Sequence, residues 1–191
     1  VSTHNEFVFG PILFSQYTLS RNTLKLTARM APVILSDEKV YLEIKDGSSW
    51  KNIGSSVIDK DARTATFKIS NWKCDTEVHY RLSYDIDKGK DPKETYYWEG
   101  TIREDPKDKE EFVVAGFTGN DHLGFPNTDI TNQVEYQNPD MLFFSGDQIY
   151  EPNGGYGAQR SPYDKATLDY LRKWYMYGWA FRDLMKNRPT V

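Results

Sequence analysis

Phe112-Val113-Val114-Ala115-Gly116-Phe117 (FVVAGF) is where the rhythm of this sequence changes. The run carries no polar residue and does not alternate, so it predicts a strand buried on both faces within a parallel sheet. Everything before it obeys a different rule. Leu24, Leu26, Ala28 and Met30 alternate with Lys25, Thr27 and Arg29, and the same period of two returns at Val40, Leu42 and Ile44, at Ala65, Phe67 and Ile69, and at Val78, Tyr80, Leu82 and Tyr84. Tyr96, Trp98 and Ile102 close the series. Each segment turns one face to a core and the other to water, with turns expected at Asp59-Lys60-Asp61 and from Asp87 to Asp91. About seven such segments in about 100 residues predict an antiparallel β-sandwich over residues 1–104.

The charged stretch Arg103–Glu111 (REDPKDKEE) carries Pro106 and no apolar anchor. It reads as an exposed linker, placed at 105–111, with a second domain from 112 to 191. In that second part Asn127 or Thr128 caps a short helix with Ile130 and Val134 on one side, stopped by Asn138-Pro139. Met141–Phe144 follows as a second buried strand, completing a βαβ unit. A longer helix takes Ser161 as N-cap, Pro162 at its first position and Asp164 in its first turn, and Tyr170, Trp174, Tyr177, Phe181 and Leu184 recur at helical spacing as its core face. It ends at Arg188-Pro189, and Thr190-Val191 begins a third parallel strand. Two strands are few for an α/β domain, so this part reads as incomplete, and a start without Met reads as a processed product or a piece of a longer chain.

Composition narrows the classes of function. The chain has 191 residues, 38% hydrophobic and 15% aromatic, with a mean hydropathy of -0.70, which suits a folded, water-exposed protein. A formal charge of -4 and a pI near 5.4 give no general attraction to nucleic acid or anionic lipid, and no local basic patch stands out. No apolar run approaches the roughly 20 residues that span a bilayer. Cys74 is the sole cysteine and has no internal disulfide partner.

Met141–Phe144 runs into Ser145-Gly146-Asp147. Parallel strands collect ligands at their carboxyl ends, so Asp147 and the loop Thr118-Gly119-Asn120-Asp121-His122 are expected to be neighbours. A carboxylate leaving a buried strand through a glycine is a rigid oxygen ligand for a hard cation, and Tyr150, Asn120 and Asp121 can join it. Set against this is a plain role for Asp147 as a turn cap. His122 and Arg160 are the candidate contacts for an anionic substrate, whereas His79, on the polar side of a strand, and His4, near the start, read as structural. The 153–157 loop reads equally well as a flexible rim or a plain connection, and it lacks the Gly-Lys-Ser/Thr ending of a phosphate-cradling loop.

Asn138-Pro139-Asp140, then Ser145-Gly146-Asp147-Gln148-Ile149-Tyr150-Glu151, then Leu168-Asp169-Tyr170 and Phe181-Arg182-Asp183-Leu184 together resemble the PhoD-like alkaline phosphatases of the calcineurin-like metallophosphoesterases. The resemblance covers about residues 111 to 191, and the β-rich half looks like the immunoglobulin- or fibronectin-like domain that often precedes them. It implies an all-β sandwich followed by the first part of an α/β metallophosphoesterase domain. It further implies a phosphate monoester or diester substrate, a pair of metal ions such as Fe3+ and Ca2+, and an extracytoplasmic setting. By the same resemblance Asp147 bridges the two metals as the catalytic carboxylate and Tyr150 ligates the iron. Gly119 stands where the family carries a cysteine, with Asn120 and Asp121 as substitutes. The competing expectation is a non-catalytic binding or adhesion protein whose sandwich recognises a partner, with the phosphatase-like half as a degenerate scaffold.

Overall fold

The computed structural model describes residues 10–32, 39–73, 75–86, 94–154 and 156–191. His4, Cys74 and the turn expected at 87–91 lie outside them. Among the described residues the five period-two segments named above fall in strands, and two further strands, β1 and β4, join them to make seven antiparallel strands: β1 (Ile12–Ser20), β2 (Thr23–Met30), β3 (Lys39–Asp46), β4 (Ser49–Val57), β5 (Thr64–Ser70), β6 (Val78–Ile86) and β7 (Glu94–Ile102). They make two sheets, ordered β1-β2-β5 and β4-β3-β6-β7. Alternation sets the facing: Leu24, Leu26, Ala28 and Met30 are all buried, as are Leu42 and Leu82 in the other sheet. Cross-strand register keeps these residues paired, Leu26 with Phe67 and Leu42 with Leu82. Full burial of each such leucine contributes about 1.5–3 kcal/mol, which makes the alternating face the main source of stability here.

One polar seam crosses this core. Ser15 Oγ accepts from Trp98 Nε1 at 2.8 Å and lies 2.6 Å from Tyr80 Oη, tying β1 of one sheet to β6 and β7 of the other. Burial pushes the Tyr80 phenol well above its ordinary pKa, so it stays protonated and can donate.

After residue 112 the expectation is overturned. The described residues form no layered α/β metallophosphoesterase arrangement. The described residues there supply two four-residue strands, β8 (Val114–Phe117) and β9 (Met141–Phe144), and two helices, α1 (Thr128–Gln137) and α2 (Tyr163–Met185). The strands do pair in parallel, Val114 with Met141 through Phe117 with Phe144. Yet the protein as a whole is mostly antiparallel sheet. The FVVAGF run is not buried on both faces either: Phe112, Val113 and Val114 are 51%, 44% and 44% exposed, and among the described residues no second layer covers the side of Val114.

The one covered face of this small sheet owes its burial to α2. Phe117 and Phe144 stack with centroids 4.7 Å apart, and Phe181 meets both edge-on at 5.2 Å. Tyr177, Phe181 and Leu184 of the expected helical face are buried, while Tyr170 is exposed. The same helix lies against β1. At Gly178 an added Cβ would sit 2.0 Å from the Phe14 ring, so only a residue without a side chain allows this approach. α1 follows Asn127, one of the two expected caps, whereas the N-cap of α2 is Pro162 and not the expected Ser161. Asn127 at the N-cap of α1 has left-handed φ of 51° and makes no side-chain cap bond, and α2 starts at Tyr163 after Pro162, also without one.

Backbone and charge then join the two halves. Thr190 N donates to Tyr17 O at 2.8 Å, while Leu142 N and Phe144 N donate to Pro189 O and Val191 O at 2.9 and 2.7 Å. The third parallel strand expected at Thr190-Val191 is thus present as isolated bridges that lie between β1 and β9. Arg103 reaches Pro139 O at 3.0 Å and Asn138 Oδ1 at 2.5 Å, and the buried Arg188 donates to Glu135 Oε2 at 2.6 Å. Within the charged stretch Lys109 pairs with the buried Asp140, whose other oxygen accepts from Val113 N at 3.0 Å. One apolar core runs from Leu26 and Leu42 to Phe117, Phe144 and Phe181 without a break.

Candidate functional site

The ends of β8 and β9 meet, because parallel pairing carries both chains out on the same side. Ser145 N donates to Phe117 O at 3.0 Å, and Asn120 N donates to Asp147 O at the same distance. Gly146 and Asp147 both take positive φ, 131° and 54°, and so turn the chain sharply off β9. Glycine adopts the first freely, and Asp is among the few residues that tolerate the second. This turn leaves the Asp147 side chain exposed at the lip of the sheet.

There Asp147 Oδ2 accepts from Tyr150 Oη at 3.0 Å. That bond, reinforced by partial desolvation and the carboxylate charges of Asp147 and Asp121, raises the Tyr150 phenol above its ordinary pKa. Among the described residues no backbone N–H donates to the Asp147 carboxylate. The plain capping role falls instead to Asp121, whose Oδ1 accepts from Leu123 N at 3.0 Å and starts the short 3-10 turn His122–Gly124. This backbone bond, with help from His122 and Asn153, holds the Asp121 carboxyl below the usual carboxylate range.

Asn120 brings a buried amide Nδ2 with no hydrogen-bond partner, and the Nδ1 of His122 lies 3.1 Å from Asp121 Oδ1 without the alignment of a hydrogen bond. Both residues line a narrow cavity of ≈ 10 Å³ with Phe125, Tyr150, Asn153 and Lys173. That is the room of about one water, too little for a phosphate ester. A Cβ at Gly119 would stand 3.7 Å from Tyr150 Oη, so the position that carries a cysteine in the resembled family faces the same phenol. Arg160 is exposed in the loop before α2, and among the described residues no hydrogen bond or ion pair joins it to Asp147 or Tyr150. His79 bonds Thr101 Oγ1 at 3.2 Å on the outer face of the sandwich, in keeping with a structural role.

Carboxylate and phenol oxygens form a hard donor set, the kind that takes Fe3+, Ca2+ or Mg2+ in preference to soft metals. Two such oxygens 3.0 Å apart, with the Asn120 amide nearby, fit one hard cation in part. A pair does not fit on the described residues, among which no group of three or more His, Cys, Asp or Glu side chains is placed to hold a metal.

The residues that sequence reasoning passed over lie on α2. Asp169 is buried and ion-paired with both Arg172, at 3.0 Å, and Lys173. Arg172 Nη2 also donates to Asn153 O at 3.3 Å, in the loop that carries Tyr150. The i, i+3, i+4 spacing of Asp169, Arg172 and Lys173 was the available signal.

No protein-family model matches the sequence, and no curated protein does. Among solved structures the chain is similar in fold to a purple acid phosphatase from yellow lupin (Lupinus luteus) seeds, with a TM-score of 0.60 and 11% identity over 93% of this chain. The chain covers 34% of that enzyme's length. A Ruminococcus gnavus beta-glucuronidase superposes at a TM-score of 0.32 and 12% identity, over 82% of this chain and 27% of that one, too loosely to carry an argument. Among the described residues no helix is long and apolar enough to cross a membrane.

Proposed function

We propose that this chain contributes the first metal ligands of a metal-dependent phosphoric ester hydrolase of the PhoD-like kind, acting outside the cytoplasm. The observation that carries the reading is the Asp147–Tyr150 oxygen pair, 3.0 Å apart at the joint carboxyl ends of β8 and β9. Fold likeness to a phosphatase supports it at the level of architecture.

A cation bound there would polarise a phosphoryl oxygen and lower the pKa of an attacking water toward about 7. Asp147 holds its carboxylate in place through the Gly146-Asp147 turn, so the ligand is preset. Tyr150 donates to that carboxylate at 3.0 Å and would have to give up that bond to serve as a metal ligand. Asn120 supplies an unpaired buried amide donor beneath them, in a space with room for about one water. Asp121, committed to its turn, keeps the 118–122 loop in register with Asp147. The substrate contacts assigned to His122 and Arg160 belong to this proposal on the resemblance, and a second cation would need ligands beyond the described residues. Since the chain covers 34% of the similar enzyme, the activity is a property of the longer protein that would contain these residues.

The test is cation-dependent hydrolysis of p-nitrophenyl phosphate and its bis ester, by a chain that extends past residue 191 where the gene does. Asp147→Ala is expected to abolish activity that Fe3+ or Ca2+ restores in the parent after chelation. Equal activity in parent and variant would remove Asp147 from the chemistry.

A second reading, a binding module with a degenerate phosphatase-like half, draws on Gly119 standing in the cysteine position. It also draws on the outer face of the sandwich. There the Arg81 guanidinium lies 4.5 Å and 4.1 Å from the ring centroids of Trp50 and Tyr97.

A further inference from the structure

We infer that Arg172, held by Asp169, is the positioning residue that fixes the Tyr150 loop against α2 and so sets the distance between Tyr150 and Asp147. The inference rests on the metal-site reading above and deepens it, since the loop it concerns carries one of the two proposed ligands.

The geometry runs outward from the helix. Asp169 is buried on α2 and uses both carboxylate oxygens, one on Arg172 at 3.0 Å and one on Lys173. A buried carboxylate with two partners keeps its charge and holds them in fixed rotamers. Arg172 therefore presents a guanidinium that cannot swing freely. Its Nη2 donates to Asn153 O at 3.3 Å, and its ring-facing side lies 5.2 Å from the centroid of Tyr156. Met176, one turn on, accepts at its sulfur from Nη1 at 3.6 Å.

The loop is shaped to receive it. Gly154 has φ of 93°, and a Cβ there would lie 2.4 Å from Arg172 Nη1, so the guanidinium rests directly on the backbone at a position that only glycine leaves open. Asn153, whose carbonyl takes the arginine, returns its own N–H to Tyr150 O at 3.2 Å and so closes the turn that begins at the proposed ligand. The Asn153 side chain also helps hold the carboxyl of Asp121 low, in the loop after β8. One arginine on a rigid helix thus reaches both loops at the strand ends, and Lys173 closes the floor of the cavity that Asn120, His122 and Tyr150 line. Placing ligands on loops but anchoring those loops to a helix is how a site gains tolerances of a few tenths of an ångström.

Three variants test this: Arg172→Met, Arg172→Lys and Gly154→Ala. The last moves the guanidinium from the loop side and leaves the helix untouched. Hydrogen exchange of the amides from Asp147 to Gly154 is measured first, with no metal added. Exchange should rise at least tenfold at Asn153 in Arg172→Met and Gly154→Ala and less in Arg172→Lys, while the amides of β2 and β6 keep their parent rates. Unchanged exchange at Asn153, or an increase spread evenly through the chain, would overturn the inference. Terbium emission excited through tyrosine is then titrated in the same proteins. The inference expects an apparent Kd weakened about tenfold in Arg172→Met and partly restored in Arg172→Lys. Parent-like affinity in both Arg172→Met and Gly154→Ala would reduce Arg172 to a stability role and overturn the inference. Failure of the parent to bind terbium at all would sink the metal reading, whereas the exchange result would still decide whether Arg172 positions the loop.

Discussion

The β-sandwich and the small parallel sheet are built from similar amounts of apolar side chain per strand, yet they bury it differently. In β2 every second residue is sealed between two sheets, with Leu24, Leu26, Ala28 and Met30 each 0% exposed. In β8 and β9 one face is sealed by α2 and the other is open, leaving Val114 and Phe143 at 44%. Alternation writes its own second layer into the sequence, since polar residues mark the wet side. A continuous apolar run leaves the second layer to be supplied from elsewhere.

The contrast can be broken most forcefully in the sandwich. Leu42→Ala is expected to cost about 2–5 kcal/mol in urea unfolding, the range for large-to-small changes at sealed positions. A cost below about 1 kcal/mol would mean that the two sheets do not form the rigid core described. Next comes the joint between the regions. Gly178→Ala drives a methyl into the Phe14 ring and should cost about 1–3 kcal/mol, with both halves losing stability in a single transition. Two separated transitions would show that α2 belongs to one region only.

Asp169 sharpens the comparison through pH. Burial alone would raise its carboxyl, but hydrogen bonds from Lys173 and Arg172 outweigh that and hold it below the ordinary Asp value. A depressed carboxyl contributes stability that is complete above the unfolded value of about 3.9 and is lost as pH falls through the lower folded value. The parent should therefore lose stability steeply below about pH 4, and Asp169→Asn should be weaker at pH 7 and shallower in that acid range. An unchanged acid limb in urea midpoints would contradict the pairing. The smallest effect is expected on the open face, where Phe143→Thr should stay within about 0.5 kcal/mol of the parent.

Legibility followed the same divide. β1, buried along most of its length, and β4, with no buried residue, do not alternate and were not picked out, whereas the other five sandwich strands and their facing could be read because period two is a local signal. So could the βαβ pairing and the approach of the 118–122 loop to Asp147, which follow from strand direction. The α/β layering could not, since the sequence after Phe112 does not say what lies against its second face. The N-cap of α2 was misplaced by reading Ser161 and Asp164 as a capping box where the chain enters the helix through Pro162. The ion pairs of Asp169 were missed because a buried carboxylate on an amphipathic helix looks, in sequence, like any solvated one. Asp121, read as a candidate ligand, also has a turn to hold, which its oxygen does by accepting from Leu123 N.

The account stands or falls on Asp147 and Tyr150 as oxygen ligands set ready at the strand ends. Calorimetry of Tb3+ binding to the parent, Asp147→Ala and Tyr150→Phe puts the question most directly. The account predicts a single binding event that Asp147→Ala abolishes and Tyr150→Phe weakens. Equal affinities in all three proteins would contradict it and leave the Asp147 carboxylate as nothing more than the partner of a tyrosine hydroxyl.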